Sequence, residues 1–495
     1  MNKIPENLGQ LPEFLLSKYK NTPVFKQKDV SEKHLIYAEE YLQESRKIAN
    51  LMQAYGIRKG SIVASFINPS YEWNFVDTAI MMLGAIHMPF YEDNIEFRHA
   101  IENIDISLLI VDFPVKTESP HIAIVRKQKL LSEAKKHNPA KTEIQIHPDD
   151  DAYIIYSFTR QSELCPYLIS HRQLIDLAIN AGKILKIDPG YTYLSLLPVA
   201  KVYERSSQLA HMMSGWTIQY AMTTAFPSSI IHDSEAHATS LVPSLLTYPF
   251  RVPEKLRSKY NNRHSTIFQS ADINDLRIFY GNKLKYLICG GAPLNATVES
   301  LYHQNNVPVF NGYGLTQSAG ALSVSSFSFY KKGSAGKHLN NITTETDANN
   351  EILVSGSGIS RYSYQDHEKV NILDKNSFFH SGDTGRIDSD GYIYIEGNLR
   401  KIFKMPNGLF INVDKHEEHL RKLLDTEVML CRNEEGNLHL LTNTILSDIK
   451  KEALRKTRLI DFAAYHIHSL SENISIPSSR PFFQKYSGQE IILRS

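Results

Sequence analysis

Apolar residues return at helical spacing between Glu32 and Tyr55 (Ala38, Tyr41, Leu42, Ile48, Leu51, Met52, Tyr55), and Gly56 supplies a stop. Ile62 to Ile67 then reads as a buried strand, Trp73 to Leu83 as a second helix and His87 to Tyr91 as a second strand. Leu108 to Asp112 and Ile122 to Val125 are further strands, and His171 to Leu185 and Tyr203 to Ser214 are helices. Strands at Tyr193 to Leu197, Thr217 to Ala221, Thr239 to Val242, Leu284 to Cys289 and Val307 to Phe310 continue the alternation. Strands alternating with helices predict an α/β fold with mostly parallel sheets covered on both faces. After about residue 325 the texture changes. Glu351 to Val354, Phe378 to His380 and Tyr392 to Glu396 are short strands between Gly, Asn and Asp turns, which predicts a compact β unit. The chain turns basic and loop-like near Gly397 to Lys404, so a domain boundary is expected there. Helices at Lys415 to Leu424 and Ser447 to Lys456 suit a small α+β domain over 399–495, following a large one over 1–398.

One stretch does not fit its surroundings. Tyr153 to Tyr156 reads as a strand, a polar loop follows, and Ser170 opens the next helix. Such a strand-loop-helix unit is where α/β proteins usually place a phosphate loop. Yet the loop has no glycine and no lysine, the residue types a phosphate cradle most needs.

Composition narrows the classes. A chain of 495 residues is long enough for about two or three domains, and 42% apolar with 22% charged residues is ordinary for a globular protein. A formal charge of +1 favours neither nucleic acid nor an anionic membrane. Three scattered cysteines, Cys165, Cys289 and Cys431, argue against a disulfide framework and for a cytoplasmic setting. The first residues lack a signal-peptide pattern, and the most apolar window, Thr78 to Phe90, is too short to span a bilayer. No transmembrane segment is therefore expected, and peripheral membrane contact is left open. Cys165 as a nucleophile lacks a partner at any arguable spacing, and His416 with His419 lacks a third ligand, so no metal centre is expected. His211, Met212 and Met213 suit either core or the lining of an apolar pocket.

Several stretches, in collinear order, resemble the adenylate-forming (AMP-binding) superfamily, most closely its long-chain acyl-CoA synthetases. They are Leu196-Leu197-Pro198-Val199-Ala200-Lys201-Val202-Tyr203-Glu204-Arg205, Gly290-Gly291-Ala292-Pro293-Leu294, Asn311-Gly312-Tyr313-Gly314-Leu315-Thr316, and Phe379-His380-Ser381-Gly382-Asp383-Thr384-Gly385. The resemblance implies a large N-terminal domain of two sheet-and-helix lobes plus a small β-barrel, then a small mobile α+β domain. It implies ATP-dependent activation of a long-chain fatty or other apolar carboxylic acid as an acyl-adenylate, and transfer to CoA. On this resemblance Tyr313 and Gly314 face adenine, and Asp383 grips the ribose hydroxyls through two acceptor oxygens. Gly290, Gly291 and Ala292 line adenine and acyl group, and Thr316 faces the phosphates.

Other matched positions have changed. The magnesium-binding Glu is Gln317, which drops the charge a hard cation wants, so magnesium binding is expected to be weak or absent. The ribose-contacting Arg falls on Asn398, and the catalytic Lys near the C-terminus falls on Arg480. The hinge acid gives way to Arg400 and Lys401, and the His or aromatic of the first run is Lys201. The phosphate loop aligns without gaps onto Tyr156 to His171: Thr159, Ser162 and Pro166 replace its glycines and Cys165 its lysine. Thr159, Arg160 and Ser162 are the remaining phosphate candidates. The expectation is an acyl-CoA synthetase-like protein with impaired activity. The alternative is a non-catalytic homologue that binds an acyl group, an adenylate or a protein partner.

Overall fold

A computed structural model describes residues 4–399 except 29–32, 92–94, 114, 116–121, 142, 160–162, 222–226, 247–275, 277–279 and 293. Beyond residue 399 it describes only 402–404, 410–424, 428–432, 438–442, 466–469, 486–487 and 490–491. The second predicted C-terminal helix, Ser447 to Lys456, lies outside the described residues. So do Arg160, Ser162, Pro293, Arg400, Lys401 and Arg480.

Two large sheets carry the N-terminal region. One has nine strands, with Val309–Leu315, Tyr286–Cys289, Ala238–Leu241, Thr192–Ser195 and Thr217–Tyr220 side by side and parallel at its centre. The other has eight, with Asp151–Phe158, Ile86–Pro89, Ile62–Phe66, Ile106–Val111 and Ala123–Arg126 adjacent and parallel. Antiparallel strands finish the edges, which single-strand periodicity gives no means of predicting. Helices Ala38–Ala54, Tyr71–Met82, His171–Leu185 and Val202–Met213 supply much of a core cluster shared by the two sheets. Successive strand residues serve opposite faces. Val63 joins that central cluster while Ile62, Ala64 and Phe66 join an outer one, and Ile288 is central while Leu287 and Cys289 are outer. Burial on both faces explains why these strands read as continuous apolar runs.

The β unit expected after residue 325 has four antiparallel strands: Thr343–Thr346, Glu351–Ser355, Phe379–Ile387 and Ile393–Asn398. A bridge between Lys337 and Tyr392 ties it to the end of the nine-stranded sheet. In the C-terminal helix Val413–Leu424, Glu417 is buried and accepts from the Leu430 N–H at 2.8 Å. This face of the helix is therefore packed.

Between the sheets lies a buried polar network. Arg205 Nη2 donates to Asp77 Oδ2 at 2.7 Å, and its Nε to the Tyr153 hydroxyl at 3.1 Å. The other Asp77 oxygen accepts from Tyr153 at 2.6 Å and meets His87 Nδ1 at 2.6 Å. Burial alone would raise the Asp77 carboxyl, but Arg205, with His87 and Tyr153, holds it below its ordinary range. Ser65, His87 and Asp77 stand in the order of a nucleophile triad, with Ser65 Oγ 2.7 Å from His87 Nε2. All three are fully buried, so the arrangement is structural.

Glu204 sits beside this network, with the Tyr193 hydroxyl 3.2 Å from one of its oxygens. Burial raises its carboxyl to about 8, partly offset by hydrogen bonds from Ser195, Tyr193 and Gln208. Below pH 4.5 the group is neutral in both folded and unfolded chains. From there to about pH 8 only the unfolded chain ionises, so stability is lost as pH rises through that window. Glu204→Gln is expected to match wild type near pH 4.5 and to exceed it by about 2–4 kcal/mol at pH 8 in urea unfolding. A pH-independent difference would contradict this.

Candidate active site

The site is built where parallel strands end. Tyr286–Cys289 and Val309–Leu315 are neighbours with Cys289 opposite Asn311, so the turns that follow are held side by side. Gly290 and Gly291 form one turn, and Gly312, Tyr313 and Gly314 continue the other strand. A side chain at Gly314 would begin 2.0 Å from the Gly320 carbonyl oxygen, and a bulge falls between Tyr313 and Gly314. That glycine is required by the protein's own backbone. Ala292 is half-buried beside the first turn.

The Tyr313 hydroxyl donates to Asp383 Oδ2 at 2.7 Å, joining residues 70 positions apart. Asp383 lies on Phe379–Ile387, where its N–H donates to Ser381 Oγ at 3.0 Å. Asn398 is its register partner on the neighbouring strand. Glu351, fully buried, accepts from the Gly382 N–H at 2.8 Å and meets His380 Nδ1 at 3.0 Å, which fixes the turn before Asp383. Strand register and one hydrogen bond thus gather Gly290, Tyr313, Asp383 and the Asn398 backbone in one region.

The phosphate side differs from the strand-loop-helix expected from sequence. Asp151–Phe158 and Leu164–Ser170 form an antiparallel hairpin, with Tyr156 opposite Pro166, Ser157 opposite Cys165 and Phe158 opposite Leu164. Residues 159–163 join the two strands, 160–162 lying outside the described residues, and the Thr159 N–H donates to the Glu163 carbonyl at 2.7 Å. The Glu163 N–H donates to Thr159 Oγ1 at 3.1 Å. Both amides are consumed inside the hairpin. Cys165 is 3% exposed in a core cluster with Tyr167, Leu315 and Phe379, so it is neither a nucleophile nor a phosphate contact. Ser170 does open the helix, in a capping box with Gln173.

Thr316 is half-buried at the start of a short turn of helix, Thr316–Ser318. Gln317, expected at the magnesium position, is 1% exposed and its Nε2 has no hydrogen-bond partner. Its side chain is sealed in, and among the described residues no group of three His, Cys, Asp or Glu could hold a metal ion. His211, Met212 and Met213 are buried, and His211 bonds Ser207 O and the Tyr286 hydroxyl, so they are core. Two features had no sequence signal. Lys201 Nζ pairs with both Glu96 oxygens at 2.8 and 3.0 Å, and Tyr203 lies against Gly290. Both arise from tertiary contacts between distant segments.

An aromatic on a strand of the nine-stranded sheet and a carboxylate on the neighbouring β unit thus meet beside strand ends of the kind where open α/β sheets hold ligands. The AMP-binding enzyme family matches residues 16–356, and the chain belongs to that family. It is 21% identical over 423 residues to the long-chain-fatty-acid–CoA ligase FadD15 of Mycobacterium tuberculosis, covering 74% of this chain and 70% of that one. With FadD13, a long-chain-fatty-acid–CoA ligase of the same organism, identity is 23% over 394 residues, covering 72% of each. In fold it is similar to o-succinylbenzoate CoA synthetase (MenE) of Bacillus subtilis, with a TM-score of 0.72 at 17% identity over 96% of both chains. A Mycobacterium tuberculosis fatty acyl CoA synthetase gives 0.68 at 17% identity, again over 96% of both. The two-lobe N-terminal architecture with a smaller C-terminal domain is therefore the fold of this chain.

Proposed function

We propose that the protein is an AMP-forming acyl-CoA synthetase-like protein with a retained adenylate site and an impaired ATP-dependent adenylation step. The observation that carries this is the contact between Tyr313, on the strand Val309–Leu315, and Asp383, on Phe379–Ile387 of the β unit. The adenosine half of ATP or AMP fits these residues: Tyr313 and Gly314 face the base, with Gly290, Gly291 and Ala292 behind it. Asp383, across from Asn398, accepts the ribose hydroxyls. The triphosphate half fits poorly, because the Thr159 and Glu163 amides are already engaged. Magnesium fits poorly too, because Gln317 is sealed and uncharged. Thr316, Arg160, Ser162 and Arg480 remain the proposed phosphate-facing residues. The proposed substrates are an apolar carboxylic acid and CoA, in the cytoplasm, with domains at 1–398 and 399–495. Among the described residues no helix is long and apolar enough to cross a membrane.

The engaged hairpin amides also favour a second reading, a non-catalytic homologue that binds an adenylate or a partner protein. Calorimetry with a non-hydrolysable acyl-adenylate and with Mg·ATP, beside acid-dependent pyrophosphate exchange, separates the two. The adenylate is expected to bind at least about a hundredfold more tightly than Mg·ATP, with slow exchange. Exchange at ordinary ligase rates would overturn the impairment. Adenylate binding with no exchange at all would favour the non-catalytic reading, and loss of both would remove the adenylate site.

A further inference from the structure

The two lobes meet along the segment that leads into the helix Val202–Met213. Val199, Ala200 and Val202 line one small cavity together with Pro89, Tyr153 and Ile155 of the eight-stranded sheet. The start of the same helix also reaches the nine-stranded sheet's strand ends. A side chain at Gly290 would begin 3.1 Å from the Tyr203 ring, and one at Gly320, two residues past Thr316–Ser318, would collide with Ser206.

Lys201 stands immediately before this helix, and its Nζ lies 2.8 and 3.0 Å from the two oxygens of Glu96. Glu96 is in the first turn of Ile95–Asn103, and its charge acts on Tyr156, whose hydroxyl is 3.2 Å from His99 Nδ1. Tyr156 lies on the phosphate hairpin, opposite Pro166. The ion pair therefore joins the hairpin side of the crevice to the Gly290 side. It is an unequal pair. The Glu96 side chain is 12% exposed and that of Lys201 43%, so the carboxylate is set in the wall while the ammonium is reachable. A lysine is a compact charge with three donors on a flexible stem, as suited to a phosphate as to a carboxylate. The family run carries a His or an aromatic at this position, so a lysine paired with Glu96 departs from it. An anion that takes Lys201 leaves the part-buried Glu96 carboxylate without it, which costs free energy. The resting pair thus opposes the very anion that the lysine would hold.

We propose that Lys201 is a cation for a phosphate of the adenine nucleotide, supplied from outside the phosphate hairpin, and that Glu96 masks it. The inference rests on the adenylate-site reading above. Calorimetry of the full-length protein with ATP, AMP, adenosine and hexanoate tests it. Glu96→Gln removes the competing charge, so ATP and AMP are expected to bind about tenfold more tightly than to wild type, with adenosine unchanged. Adding Lys201→Met to Glu96→Gln should abolish that gain, and adding Lys201→Arg instead should keep it. A merely structural pair gives another pattern: Glu96→Gln lowers thermal stability and weakens adenosine and nucleotides alike. That pattern, a folded Glu96→Gln without the gain, or a gain for hexanoate in place of ATP and AMP, overturns the inference. If Glu96→Gln does not fold, Lys201→Met and Lys201→Arg alone decide. Weaker ATP binding by the Met variant supports the inference, and equal binding overturns it. Failure of adenosine to bind wild type instead removes the adenylate site, and this inference with it.

Discussion

Arg205→Ala is expected to destabilise the protein by about 3–5 kcal/mol, among the largest effects of any single substitution outside the site. Arg205 is 3% exposed and Asp77 is fully buried, so removing the guanidinium leaves a carboxylate with no full positive charge beside it. The residue also donates to Tyr153 at 3.1 Å and to Asn74 at 3.3 Å, and its guanidinium lies over the Trp73 ring. Asp77→Ala should cost a similar amount, because it strands the guanidinium and frees the His87 Nδ1 and Tyr153 contacts. The two losses share one interaction, so the double variant should cost clearly less than their sum. Urea unfolding of both singles and the double gives the coupling directly. A loss below about 1 kcal/mol for Arg205→Ala would show that water enters and screens the network. The network joins Ile62–Phe66 and Ile86–Pro89 of one sheet, through helices Tyr71–Met82 and Val202–Met213, to Thr192–Ser195 and Thr217–Tyr220 of the other. Its loss should therefore loosen the two lobes together.

The motif Tyr203-Glu204-Arg205 shows how far the sequence could be read. Its match to a family run was legible, and so was its place on a helix. The roles of its members were not. Glu204 and Arg205 point into a network whose other members lie up to 131 positions away, and Tyr203 lies on a turn 87 positions later. Helix and strand positions followed from local periodicity, so the parallel core of both sheets was predictable. The antiparallel edges were not, because pairing such as Ser363 with Tyr167 depends on a contact across the fold. The pair proposed to face adenosine rests on a different reason. Tyr313 and Asp383 keep their motif neighbours, and the structure brings them within 2.7 Å. For Gln317 sequence gives the chemistry but not the burial. Its side chain is buried with Nε2 unpartnered, and separately its backbone carbonyl oxygen accepts from the Ser360 N–H at 2.7 Å.

The phosphate hairpin gives the second large effect. A gapless alignment suggests that a lysine at 165 would restore a phosphate contact, whereas the structure predicts the opposite result. Cys165 is paired with Ser157 on the hairpin and packed among Tyr167, Leu315 and Phe379. Gln365 Nε2 stands 3.4 Å from the sulfur, a donor that would oppose an ammonium. Cys165→Lys should therefore cost about 3 kcal/mol or more, as an unpaired charge placed in an apolar cluster. Thr159→Gly combined with Ser162→Gly acts between the two hairpin strands. It removes the Thr159 hydroxyl that captures the Glu163 N–H and frees that amide for an anion. One or two amide-to-phosphate bonds at roughly 1.5–3 kcal/mol each would tighten Mg·ATP binding by about ten- to a thousandfold. Calorimetry with Mg·ATP and thermal unfolding of the two variants separate these effects. A stable Cys165→Lys protein that binds Mg·ATP strongly would show that position 165 faces the crevice. If the double glycine variant binds no better than wild type, the hairpin amides are not what limits the triphosphate, and the sealed Gln317 becomes the stronger cause.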